Sequence, residues 1–283
     1  MGSRDSRAML VLRRIGRNPV ALLGLIIIIG YIGVALFAPL LAPHDPIDQN
    51  LSKSFAPLSA ENPLGCDEFG RDILSRIIFG ARTSLIIQVF SVLIALVTGV
   101  FLGAVGGYFG GWLDEGIMRV MDILLAFPGI LLALAIVAVL GPDLKNLIIA
   151  IGIYSIPQFA RITRGSVITV KQSEYVTAAR AIGESHFVTI MRYVLPNAIS
   201  PIIIQTTLRM ATVLLTAAGL GFLGLGVQPP QPEWGTMLST ARMYLRSAPL
   251  VAVFPGVSIM IVVLGFNFLG DGLQDALNPR LKD

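Results

Sequence analysis

Arg209 lies near the middle of an apolar run, 198–221. A guanidinium keeps its charge at any ordinary pH and is costly in an apolar medium, so it must face a bundle interior or water. Two roles are open to it. It can meet a solute or a partner subunit at a pathway or gate, or pair silently with an acid or with backbone carbonyls. Pro128-Gly129 interrupts another apolar run and must kink or unwind a helix there. Interrupted helices often line transport paths, but a packing kink is an equal reading. Asp67, Glu68, Arg71, Asp72 and Arg76 crowd into ten residues. They can contact another protein or form an ion-pair network that holds their own loop. A polar string, EYVTAARAIGESHFVTIMRYVLPN, Glu174 to Asn197, lies between two of the apolar runs.

That string predicts two short helices with a break. Glu174 to Ile182 is rich in helix formers, and Gly183 suits the left-handed position that ends a helix. Ser185 can cap a second helix, and Pro196 limits that helix at its far end. Ala178 and Ala179 leave a nearly bare face on which another backbone can approach closely, Arg180 beside them. An ordinary connecting loop is the alternative reading.

Other chemistry is missing from the sequence. No Gly precedes a Lys, so there is no G-x-x-x-x-G-K-[ST] phosphate loop and no ATP site of that kind is expected. His44 and His186 fall on opposite expected sides, which argues against a histidine metal site or triad. Cys66 is the single cysteine, so no disulfide within the chain and no cysteine-rich metal site is expected. The apolar runs hold few carboxylates, which weakens a proton-coupled mechanism.

The elements that must position these residues are transmembrane helices. Of 283 residues 54% are hydrophobic and 13% charged, with mean hydropathy +0.78. A soluble domain carries about 25% charged residues. A bilayer-crossing helix needs about 20 apolar residues. Segments 20–41, 82–106, 117–140, 146–166, 198–221 and 251–270 qualify, and long runs rather than alternating ones argue for a helical bundle. This gives a basic tail over 1–19, a first helix with an outer segment over 20–81, a core over 82–270 with a polar loop at 167–197, and a tail over 271–283.

The pI near 9.5 does not call for nucleic acid. Arg4, Arg7, Arg13, Arg14 and Arg17 precede the first span. Arg161, Arg164, Lys171, Arg180 and Arg192 surround the polar loop, and Arg280 and Lys282 follow the last span. Six crossings place all three groups on one side, and the positive-inside rule makes that side the cytoplasm. The apolar run after the basic start is too long for a signal peptide and no Ala-x-Ala site follows it, so an uncleaved first helix is expected.

Smaller features complete the chain. An interfacial helix is expected over Met9 to Arg17. Gly24, Gly30 and Gly33 offer small packing positions in the first span, and Gly99, Gly103 and Gly107 form a strip in the second. Gly65 and Gly70 read as turns, and Asp72 to Gly80 as an interfacial helix. Arg119 and Asp122, three apart, can meet on one helix face. GLGFLGLGVQPPQPEWGTML, Gly219 to Leu238, cannot continue a helix, and its Trp234 suits a membrane-interface anchor. Asp271 and Asp275 share a face at the inner end.

Glu174, Ala178, Ala179, Gly183, Ile190, Leu195 and Pro196 resemble the EAA loop of ABC importer membrane subunits. The whole string is similar to the form in dipeptide and oligopeptide permeases of the DppC/OppC kind. Leu64 to Arg82, Gly219 to Leu238 and the tail Asn267 to Asp283 with Asn278-Pro279-Arg280 add to the resemblance, which covers most of the chain. It implies an all-α, six-helix bundle of the type I ABC importer kind in a bacterial inner membrane. In such a family the loop carries a coupling helix that docks on an ATPase subunit, here through Arg180 and Ser185 as well as the motif positions. The implied partners are a homologous second permease, two ATPases that bind ATP and Mg, and an extracytoplasmic binding protein. Asp67, Arg71, Asp72 and Trp234 are expected where that binding protein docks.

The expected function is import of di- or oligopeptides by alternating access, with no enzymatic activity in this chain. Nickel chelates, glutathione or haem are alternative cargoes for the same machinery. A secondary transporter or channel, or a membrane scaffold, are the readings outside it.

Overall fold

The computed structural model describes residues 14–277, and every regular element among them is helical. The expectations for Met9 to Arg13 and for Asn278-Pro279-Arg280 lie outside the described residues. The long helices are α1 (Pro19–Leu36), α2 (Ile73–Phe109), α3 (Gly111–Ala126), α4 (Gly129–Leu140) and α5 (Leu144–Lys171). Then come the short α6 (Glu174–Ala181), the long α7 (His186–Phe222), the short α8 (Trp234–Ala241) and α9 (Leu250–Leu277).

Helices α1, α2, α7 and α9 are each long and apolar enough to cross a membrane. Helices α3 and α4 do so as a pair, bent by 89° at Phe127-Pro128. The bend has the cause expected at Pro128: the ring removes an N–H and clashes with the preceding turn. Helix α5 has the length, 28 residues or about 42 Å, but Asn146, Gln158, Arg161 and Arg164 dilute its apolarity below that of the others.

Close backbone approach substitutes for a water-driven core, since lipid is as apolar as leucine. The strip Gly99, Gly103 and Gly107 on α2 lies against Ile156 to Arg164 of α5, and a Cβ at Gly99 would sit 2.8 Å from the Ile156 carbonyl. Gly24 of α1 faces Gly265 and Leu269 of α9 in the same way, while Gly30 and Gly33 have nothing within 4 Å. Arg14 joins the same pair of helices, its Nη1 donating to the Ala276 carbonyl at 3.0 Å.

Two boundaries differ from expectation. Asp72 to Gly80 is not a separate interfacial helix. Asp72 caps the 37-residue α2, its Oδ2 accepting from Ser75 N at 2.8 Å, and the apolar and polar parts run on as one helix. Pro196 does not end the helix that Ser185 starts. Residues Thr189–Val194 widen into a π segment, in which Leu195 N donates to the Ile190 carbonyl, and the helix continues to Phe222. The wider register gives the proline ring room in a helix that has lost one N–H anyway.

Candidate functional site

The polar loop sits at one end of the bundle, where α2 finishes and α5 leads out of its long run. Ser173 precedes α6 in an extended conformation, and Glu174 lies in its first turn, where a carboxylate suits the helix dipole. Gly183 has φ +92°, and Glu184 N donates to the Ala179 carbonyl at 3.2 Å, closing the helix end. Ser185 then caps α7, its Oγ accepting from Val188 N at 3.4 Å. The helix, glycine break and second helix stand where the string placed them.

The two alanines do not share a face. Ala179 is buried with Val176, while Ala178 is exposed beside Glu174, Thr177 and Arg180. Val176 packs on Ala104 and Tyr108 of α2, Val167 of α5, and Val194 and Ala198 of α7, with Ile190 and Leu195 flanking. A hundred-degree step per residue puts adjacent positions on different faces, so only one alanine can face outward. Pro196 is half-buried beside them.

What faces outward is apolar in a way the motif did not reveal. Tyr175 is 46% exposed, Ile182 78% and Phe187 72%. Large apolar side chains exposed on a polar loop are unusual for a surface in contact with water. The sequence signal was present as two large apolar residues flanking the Gly183 to Ser185 turn. Phe187 also borders an open apolar groove of about 1140 Å³ that runs between α2 and α7, past Phe101, Val105 and Ile199.

The loop is tied rigidly to the bundle. Tyr108 Oη lies 3.1 Å from His186 Nδ1, with Phe109 and His186 rings packed around it. Lys171 Nζ donates to the Tyr108 carbonyl at 2.5 Å. Arg164 on α5 grips Asp114 on α3 with two hydrogen bonds, and Arg161 meets Asp122 at 2.5 Å. Asp122 therefore pairs across to α5 and not with Arg119 along its own helix. These contacts link the chain on either side of α6 to α2 and join α5 to α3.

Deeper in the bundle a polar seam climbs α5 and α7. Gln205 Nε2 reaches Gln158 Oε1 at 3.5 Å. Arg209 is 3% exposed, donates from Nη2 to Ser155 Oγ at 3.0 Å and lies over the Tyr154 ring at 4.6 Å. Tyr154 packs over Gly129, where a Cβ could not fit, at the bend of α3 and α4. Gly129 and Arg209 thus both meet Tyr154, which sequence reasoning did not single out, and Pro128 precedes Gly129 at the bend.

At the opposite end, the residues expected to meet a binding protein are interior. Asp67, Arg71 and Asp72 are 3–4% exposed and Trp234 is 2%. Asp67 Oδ2 accepts from Arg71 Nε at 2.7 Å and pairs with Arg76 Nε at 3.3 Å, and Asn62 Nδ2 donates to Asp72 Oδ1 at 3.0 Å. Burial pushes the nearby Glu68 carboxyl above its ordinary value, and Arg71 beside it pulls back. Trp234 is no interface anchor: its Nε1 donates to the Ile77 carbonyl at 3.0 Å and its ring rests on Gly80 and Tyr31. These four side chains build the cap over the bundle and offer no surface of their own. Among the described residues no group of three His, Cys, Asp or Glu is placed to hold a metal ion.

Residues 95–283 match the family described as binding-protein-dependent transport system inner membrane component, and residues 6–57 match the N-terminal TM domain of oligopeptide transport permease C. The chain is 50% identical over 270 residues to the dipeptide transport system permease protein DppC of Alkalihalophilus pseudofirmus, covering 95% of this chain and 89% of that one. It is 48% identical to the di/tripeptide transport system permease protein DppC of Pseudomonas aeruginosa, covering 94% and 90%. It is 44% identical to the glutathione transport system permease protein GsiD of Pectobacterium atrosepticum, covering 95% and 90%. Among solved structures it resembles a chain of the inward-facing MetNI methionine ABC transporter, with TM-score 0.60 and 18% identity over 73% of this chain and 98% of that one. This last likeness concerns the fold alone.

Proposed function

Since the chain belongs to the family of binding-protein-dependent transport system inner membrane components, we propose that it is one of two related membrane subunits of an ATP-driven importer of di- and oligopeptides. The observation that carries this reading is the exposed apolar tip Tyr175, Ile182 and Phe187 on a loop tied to three spanning helices. A loop so built transmits force only if something outside the chain pushes it. The sequence has no phosphate loop of its own, so the push comes from separate ATPase subunits that bind ATP and Mg. Their closure tilts the helices and alternates access to a path at the polar seam, because ATP favours the state in which docking is tighter.

The basic residues at the loop end, Arg161, Arg164, Lys171, Arg180 and Arg192, support a cytoplasmic position for that end, since positive charge gathers on the inner side of membrane proteins. The opposite end, capped by the Asp67 network and Trp234, then faces an extracytoplasmic binding protein. Its docking surface is the exposed loop around that cap. The dipeptide and di/tripeptide relatives support a peptide cargo, and the glutathione relative extends the same reading to a modified tripeptide.

The test is reconstitution with a homologous permease, two ATPases and the binding protein, followed by uptake of a labelled dipeptide. ATP-dependent uptake that stops when Ile182→Glu is introduced supports the reading. Uptake by this chain alone, driven by an ion gradient, would instead favour a secondary transporter.

A further inference from the structure

Arg209 is a full charge without a counter-charge. It makes no ion pair among the described residues, and stretches 129–140, 144–172 and 195–222 contain no Asp or Glu at all. Its Nε is buried without a hydrogen-bond partner. What it has is a hydrogen bond to Ser155 and the face of Tyr154, which orient a guanidinium but do not neutralise it. A buried charge left in this state is costly, and the cost is relieved when an anion joins it.

A polar face of α7 runs past the arginine. Gln205, Arg209, Thr212 and Thr216 follow at intervals of four, three and four and so share one face of α7. Thr212 is exposed and Gln205 and Thr216 are half-buried, so this face is open above and below the arginine. The geometry points to Arg209 as the site that takes the α-carboxylate of a peptide in transit. The inference rests on the peptide-import reading. A carrier of many peptide sequences cannot read side chains, and the terminal charges are what all such cargoes share. Of the fixed features, the carboxylate fits the guanidinium fork through paired N–H donors. The hold must be weak enough to release, and Ser155 and Tyr154, which already engage the guanidinium, keep it so.

The test uses the full assembly of both permeases and ATPases. Equilibrium dialysis without binding protein compares a labelled dipeptide with its C-terminal amide. The wild type is expected to retain the acid about tenfold better than the amide, one bidentate charge-assisted contact being of that size. R209Q is expected to lose the preference and to cut dipeptide uptake about tenfold. R209K keeps the charge without the fork and should fall between them. Equal retention of acid and amide by the wild type overturns the proposal, as does unchanged uptake by R209Q. Failure of both variants to co-purify with the second permease also overturns it, because the arginine then pairs with a partner's acid. If the wild type imports no dipeptide, the peptide reading itself fails. If it does and R209Q matches it, only this site fails.

Discussion

Arg164 clasps Asp114 through two parallel hydrogen bonds, Nε to Oδ1 and Nη2 to Oδ2, both 2.5 Å. The pair joins the end of α5 to the first turn of α3, fifty residues earlier, and so fixes the helix that leads into the polar loop. Gly106 leaves room for it, since a Cβ there would press on Asp114 Oδ1 at 3.0 Å. Asp114→Asn keeps the shape and removes the charge. Arg164 is partly exposed, so screening limits the loss to roughly 1 kcal/mol, or about 2–4 °C in thermal midpoint. The charge-swapped double variant should recover part of it. A midpoint that does not move would show that the clasp contributes nothing to the fold.

The loop tip makes a different demand. Ile182→Glu or Phe187→Glu places a charge on an exposed surface, so the fold should change by no more than about 0.5 kcal/mol. Docking should weaken about tenfold for each, the loss of more than 1 kcal/mol typical of an anchoring residue. Gly183→Val acts through the backbone, because φ +92° costs a branched residue roughly 1–2 kcal/mol. Pull-down of the ATPase by the three variants, with thermal midpoints alongside, separates surface from backbone effects. Retained ATPase binding by both charged variants would remove the tip from the interface.

Legibility followed locality. The break at Pro128-Gly129 and the stop at Gly183 were readable because each rests on a single residue's backbone limits. The charges at 67–76 were readable as a network, but their burial was not, since exposure depends on distant parts of the chain such as Pro230, whose carbonyl lies 3.5 Å from Arg76 Nη1. Asp122 was given the wrong partner because its true one, Arg161, comes from another helix. Pro196 misled for a subtler reason: the rule that proline ends a helix assumes regular α register, and the π segment before it relaxes that assumption. Ile182 and Phe187 were passed over because the motif directs attention to its small residues, whereas the surface is made by its large ones.

Trp234 and Gly80 form a matched pair at the capped end. The indole lies so close to α2 that a Cβ at Gly80 would be 2.7 Å from Trp234 Cδ1. Trp234→Ala should cost about 3–5 kcal/mol, and Gly80→Ala about 1–3 kcal/mol by overpacking. Trp234→Phe keeps most of the volume but leaves the Ile77 carbonyl without its 3.0 Å donor, so it should fall between wild type and alanine. Thermal unfolding of the purified assembly ranks the three. A Gly80→Ala variant as stable as wild type would mean the indole has room to shift.

Glu233 should make the same cap sensitive to pH. Its side chain is fully buried, with Oε1 accepting from Gly235 N at 2.8 Å and Oε2 from Thr236 N at 2.8 Å and Thr236 Oγ1 at 3.1 Å. Burial pushes the carboxyl above its ordinary value of 4.5, and the three donors pull against it without cancelling it. The folded chain therefore holds this proton more tightly than the unfolded chain. Its stabilising contribution is complete below the unfolded value and fades as pH rises through the folded one. Thermal midpoints measured from about pH 5 to about pH 8 should fall for the wild type, with an ordinary carboxyl titrating near the bottom of that range. Glu233→Gln cannot titrate and forces an amide N–H against one of the backbone donors. It should therefore start lower in acid, lose no stability on this account as pH rises, and approach the wild type at the alkaline end. Parallel curves for the two proteins would mean that Glu233 holds no extra proton in the fold, and that its three donors outweigh its burial.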